Sequence, residues 1–92
     1  MSKVSISLSG ALATVAGTRK VEVDASTVSQ ALEALSSTYG EEFQTKLYDE
    51  TGRPRRFINI YVNGRDYRFL RRLETQLTEN DDIAIIPAAS GG

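Results

Sequence analysis

Three features of this 92-residue chain predict an α+β fold in which one main helix lies across a mixed sheet. Two short segments near the start alternate apolar and polar residues at period two, the mark of half-buried strands. A stretch beginning at Val28 places apolar residues at helical spacing. Beyond it, further apolar runs read as strands, one of them closed by Asn63-Gly64, a two-residue sequence that favours a hairpin turn.

Along the chain, Val4, Ile6 and Leu8 share one face of the first strand. Gly10 to Gly17 reads as a turn or loop, after which Lys20-Val21-Glu22-Val23-Asp24 returns with Val21 and Val23 inward and completes a hairpin. In the helix, Val28, Ala31, Leu32, Leu35 and Tyr39 form one continuous stripe. Thr27 is placed to cap its start, with Gln30 reaching back in a capping box, and Gly40 to end it as a left-handed residue. Full burial of Leu32 and Leu35 stabilises the fold by about 1.5–3 kcal/mol each.

Phe43, Leu47 and Tyr48 suggest a short packed turn, and the polar run Asp49 to Pro54 a loop. Phe57 to Val62 reads as a strand with Ile58, Ile60 and Val62 toward the core, and Tyr67 to Phe69 as its short partner across the Asn63-Gly64 turn. Leu73 and Leu77 are spaced for one helical turn, Glu79-Asn80-Asp81-Asp82 makes a polar turn, and Ile83 to Ile86 forms the last strand, ended by Pro87. The remaining residues have small side chains and no packing signal, which predicts a mobile tail. The chain therefore divides into a domain over residues 1–87 and a tail over residues 88–92. A hairpin, a helix and three further strands match the β-grasp arrangement, where the last strand lies parallel to the first in the middle of the sheet.

Composition narrows the function. The chain has neither cysteine nor histidine, which excludes a disulfide framework and a thiolate nucleophile and removes the commonest general base and metal ligand. The acidic turn at residues 79–82 lacks the ligand pattern of a calcium loop, so no metal site is expected. No run approaches the ~20 apolar residues of a membrane span, and Met1-Ser2-Lys3-Val4 does not open a secretory signal, so a cytoplasmic location is expected. Seven of the eleven basic residues, Arg53, Arg55, Arg56, Arg65, Arg68, Arg71 and Arg72, lie within twenty positions that hold one acid, Asp66. That segment carries +6 within a chain of net charge −1. It reads either as a contact for an acidic partner or as a solvated edge that discourages strand pairing. The overall charge and the want of a recognition motif argue against nucleic acid.

These residues carry a resemblance. The Thr27 to Leu32 helix start, the Arg56 to Gly64 strand and turn, the Leu77 to Asp82 segment and the ending Ile85-Ile86-Pro87-Ala88-Ala89-Ser90-Gly91-Gly92 resemble the ubiquitin-like sulfur carriers of the MoaD/ThiS type, most of all the CysO branch. The resemblance spans the chain except for residues 11–18 and 41–54. It implies a carrier, not an enzyme: a co-substrate with no bound cofactor. In the cycle it implies, a ubiquitin-activating-type enzyme uses ATP to adenylate the Gly92 carboxylate, and a persulfide or sulfide donor replaces AMP to leave a thiocarboxylate. A sulfur-accepting biosynthetic enzyme, pyridoxal-phosphate dependent in the CysO branch, then takes the sulfur, and a metalloprotease releases the product amino acid.

Gly91 and Gly92 suit a tail that threads into a partner's active site, because residues without Cβ permit close backbone approach. By strand parity Phe57, Tyr61 and Asn63 face away from the helix, as does Ile86. Tyr61 and Ile86, with Phe57, thus make an apolar patch on the open sheet face, where the resemblance places the activating enzyme, and Arg55 and Arg56 of the basic segment are further candidate partner-binding residues. Two alternatives stay open: the small subunit of molybdopterin synthase, and a protein modifier conjugated to lysines through Gly92.

Overall fold

The computed structural model describes residues 2–88. Strand β1 (Ser2–Leu8) is followed by helix α1 (Gly10–Ala16), strand β2 (Lys20–Ala25) and helices α2 (Val28–Tyr39) and α3 (Glu41–Leu47). Strands β3 (Ile58–Val62), β4 (Arg65–Asp66) and β5 (Asp82–Pro87) complete the sheet, with 3₁₀ turns at Tyr67–Phe69 and Arg72–Glu74 between β4 and β5. The order across the sheet is β2-β1-β5-β3-β4, with β5 parallel to β1 and antiparallel to β3. This is the β-grasp arrangement that the sequence predicts.

The core lies between the sheet and the helices. Val4, Ile6 and Leu8 from β1, Ile58, Ile60 and Val62 from β3, and Ile83 and Ile85 from β5 are buried against Val28, Ala31, Leu32 and Leu35 of α2. Thr27 caps α2, its hydroxyl accepting the Gln30 N–H at 3.2 Å, while the Gln30 side chain reaches back one residue further than a standard box, accepting the Ser26 N–H at 2.7 Å.

The structure corrects the sequence reading at five places. Residues 10–16 are helical: Gly10 and Gly17, both at positive φ, stand at the ends of an alanine-rich turn and not within a loop. Leu12 fixes this helix in the core. The Phe43–Leu47 turn is a full helix, whose buried residues are four apart on one face. Gly40 joins the two helices with φ 90° and ψ −167°, a glycine conformation distinct from the left-handed helical cap. The partner of β3 is Arg65–Asp66, because the two-residue turn sets Arg65 directly opposite Val62. Tyr67 to Phe69 leaves the ladder because the Asp66 carboxylate accepts the Arg68 N–H at 2.9 Å and winds the chain into a 3₁₀ turn. Finally, Leu73 and Leu77 do not share a helical turn. The segment past Glu74 is extended and seals the start of α2, with Val28 N–H donating to Thr75 C=O and Leu77 N–H to Ser26 C=O.

Candidate functional site

The central strand β5 ends at Pro87. Pro87 stands opposite Ile58, and beyond it Ala88 donates its N–H to the Phe57 carbonyl at 2.7 Å. On the other side, Gly10 approaches so closely that a Cβ built there would lie 3.4 Å from Pro87 Cγ. The exit is therefore held between Phe57 and the start of α1, with the proline ring restricting φ where strand passes into tail. Gly91, Gly92 and the mobility expected of the tail lie outside the described residues.

The strand register brings Tyr61 and Ile86 together. Tyr61 is opposite Ala84 and Asn59 opposite Ile86, which makes Tyr61 and Ile86 diagonal neighbours, a relation that spans about 7–8 Å between such positions. Ile86 is 42% and Phe57 45% exposed, whereas Tyr61 is half-buried. Phe57 precedes β3 by one residue and keeps the parity of Asn59 and Tyr61. Ser5 and Ser7 of β1 lie across β5 from this group, facing Asp82 and Ala84 in the register. The open face thus carries Phe57, Asn59 and Tyr61 from the β3 side and Ile86 from β5, with the serines of β1 beyond.

Asn63 ties the far end of the face together. Its amide donates to Asp81 at 3.0 Å and accepts the Asp82 N–H at 2.9 Å, joining the β3–β4 turn to the turn before β5. Burial pushes the Asp81 carboxyl upward, but the Thr78 N–H and the Asn63 amide outweigh it and hold the group below its ordinary range.

The arginines do not form one patch. Arg55 donates from Nε to the Thr45 carbonyl at 2.9 Å and lines a groove on the helix layer with Glu33, Glu41, Tyr48 and Asp49. Arg55 is thus turned to the helix layer, whereas Tyr61 and Ile86 have outward parity on the sheet. Burial, reinforced by Glu33, raises the Tyr48 phenol above its usual range. Arg56 is exposed beside Phe57. At the opposite sheet edge, Arg68 pairs with Asp66 at 2.7 Å, and this bond with the Arg68 N–H holds the Asp66 carboxyl below its ordinary range. Among the described residues no cluster of carboxylates could hold a metal ion, and no helix is long and apolar enough to cross a membrane.

Two features escape the sequence reading. The Gly10 contact with Pro87 is visible only once β1 and β5 are adjacent. Phe69, which alternation assigns to a strand, projects 86% exposed from a 3₁₀ turn.

Comparison with known proteins places this geometry in context. The family model described as the ThiS family matches residues 6–92. The sulfur carrier protein CysO of Mycobacterium tuberculosis is 33% identical over 78 residues, covering 83% of each chain. Among solved structures, the small archaeal modifier protein SAMP1 of Methanosarcina acetivorans superimposes with a TM-score of 0.90 at 30% identity, covering 100% of this chain and 98% of that one. CysO in the Amycolatopsis orientalis BexX/CysO complex superimposes with a TM-score of 0.84 at 33% identity, covering 97% and 99%.

Proposed function

The chain belongs to the ThiS family of ubiquitin-like sulfur carriers, and from that premise we propose that its working group is the Gly92 carboxylate, which cycles between acid and thiocarboxylate. The observation that carries this reading is that the family match runs through the Gly-Gly ending, to residue 92. A carboxylate is a poor electrophile. Its oxygen attacks the α-phosphorus of ATP, pyrophosphate departs, and the acyl-adenylate now has a leaving group. Sulfide attacks the carbonyl carbon, AMP departs with the C–O bonding pair, and the sulfur stays on the chain terminus.

The activating enzyme, of the ubiquitin-activating type, supplies the nucleotide site. The carrier supplies a threadable tail on a fixed exit and the open face of Phe57, Tyr61 and Ile86 as its recognition surface. A sulfur-accepting biosynthetic enzyme then uses the thiocarboxylate as nucleophile. By likeness to CysO this is the synthesis of cysteine, with a pyridoxal-phosphate enzyme as acceptor and a metalloprotease to cut the product from the tail. Isotope exchange between pyrophosphate and ATP, catalysed by the purified activating enzyme, should depend on the carrier and vanish when Gly92 is removed. Undiminished exchange with the shortened chain would falsify the terminal-carboxylate reading.

Similarity to SAMP1, a small archaeal modifier protein, favours one second reading, in which the same adenylate is captured by lysines of other proteins. A ladder of conjugates in extract, dependent on Gly92, distinguishes it.

A further inference from the structure

Phe69 is the most exposed large apolar side chain among the described residues, at 86%, in a domain whose other phenylalanines are 0% and 45% exposed. The turn that carries it is firmly held. Tyr67, two residues before it, is buried, the Asp66 carboxylate caps the turn through the Arg68 N–H at 2.9 Å, and Leu70 N–H closes it onto Tyr67 C=O at 3.0 Å. Beyond the turn, Arg71 N–H donates to the buried Thr75 hydroxyl at 2.9 Å. With the backbone of the turn held, only the two side-chain torsions of the phenyl ring remain to be ordered on binding, a small cost for a large apolar contact.

Charge around this knob is one-sided. Arg65, Arg71 and Arg72 are exposed, and among the described residues none of them has a carboxylate within salt-bridge distance, while the nearby Asp66 is spent on Arg68. Glu74, exposed at the end of the next turn, is the one other acid on these elements. The position matters too. β4 runs back along β3 from Val62 to Tyr61, so the Tyr67–Phe69 turn begins at Asp66, directly opposite Tyr61 of the open face.

We propose that Phe69, with the exposed Arg65, Arg71 and Arg72 within four residues of it in the chain, is a second anchor for the activating enzyme, filling an apolar pocket rimmed by carboxylates beside the site that receives the tail. The inference rests on the carrier reading above. A protein partner is favoured over RNA because single-strand binding uses a positive groove with several stacking aromatics, whereas Phe69 is the one exposed aromatic on these turns and the chain's net charge is −1.

The test is steady-state pyrophosphate exchange with the purified activating enzyme and the intact carrier. Phe69→Ser should raise the KM for the carrier about tenfold with kcat and melting temperature unchanged, Phe69→Leu should restore most of the loss, and Arg71→Ser with Arg72→Ser should weaken the salt dependence of kcat/KM. If wild-type carrier is turned over and Phe69→Ser is turned over with the same KM, the second anchor is wrong and the carrier reading stands. If wild type is not turned over at all, the carrier reading fails first. Phe69-dependent binding of a single-stranded RNA oligomer, or a dimer in sedimentation abolished by Phe69→Ser, together with an unchanged KM, assigns the knob to nucleic acid or to a second copy and overturns the proposal.

Discussion

Ala88 donates its backbone N–H to the carbonyl of Phe57 at 2.7 Å, extending the β3–β5 ladder one residue past Pro87. The tail thus begins from the most central strand of the sheet, and an exposed aromatic residue stands at its root. The Ala88 amide should exchange with solvent far more slowly than that of an unstructured peptide. Exchange at the free-peptide rate would mean that the tail begins earlier, before Pro87.

Gly10 adopts φ +60° with Pro87 packed against it. Gly10→Ala should destabilise the domain by about 1–2 kcal/mol, the cost of a left-handed alanine, and shift the Pro87 and Ala88 resonances. An unchanged melting temperature with unshifted resonances would show that this contact does not set the exit.

Tyr61 and Ile60 are neighbours with opposite fates. Ile60 is fully buried, and Ile60→Asp should cost more than about 4 kcal/mol by leaving a carboxylate unpaired in the core. Tyr61→Asp, across from Asp66 in the register, should cost up to about 1 kcal/mol through like-charge repulsion while raising the KM of the activating enzyme. If Tyr61→Asp unfolds the chain, the face assigned to docking is a packing face.

The carboxyls of Asp49, Asp66 and Asp81 are held below their ordinary range by hydrogen bonds, with positive charge adding to this at Asp49 through Arg55 and at Asp66 through Arg68 and Arg72. A carboxyl with a depressed folded pKa stabilises the native state above its unfolded value, about 3.9, and that contribution is lost as pH falls through the folded value. Melting temperature should therefore drop below about pH 4, and Asp81→Asn should flatten that acid limb. An acid limb of equal steepness in the variant would assign acid unfolding to other groups.

Arg55 and Arg56 are adjacent in sequence but differ in exposure and partners. Arg55 is tied to Thr45 over the helix groove, and Arg56 is exposed beside Phe57. Arg56→Ser should slow association with the activating enzyme at low salt, an effect lost as screening shortens to about 8 Å at physiological ionic strength. Arg55→Ser should leave the rate unchanged. Equal slowing by both would mean that the helix groove also faces the partner.

Periodicity made most of this legible in the sequence. The inward parity of Ile58, Ile60 and Val62 and the outward parity of Tyr61 and Ile86 follow from the two-residue repeat of a strand, and the α2 stripe from the helical one. Short elements were not legible. Helix α1 is seven residues long with a single fully buried side chain, too little for a periodic signal, and its flanking glycines mimic a loop. The fate of Tyr67 to Phe69 turned on one carboxylate, Asp66, capping the turn, and alternation of residue types cannot register that. The different surroundings of the arginines, Arg55 at the helix groove and Arg68 paired with Asp66 beyond β4, depend on tertiary placement alone. In the sequence they are one cluster.

The most direct measurement is the intact mass of the protein after incubation with its activating enzyme, ATP and sulfide. The chain should gain the difference between one sulfur and one oxygen atom, fragmentation should locate it at Gly92, and a form extended beyond Gly92, which keeps both glycines but buries the carboxylate in a peptide bond, should gain nothing. Thiolation of the extended form without trimming, or adenylate and lysine conjugates with no sulfur gain, would contradict a Gly92 thiocarboxylate.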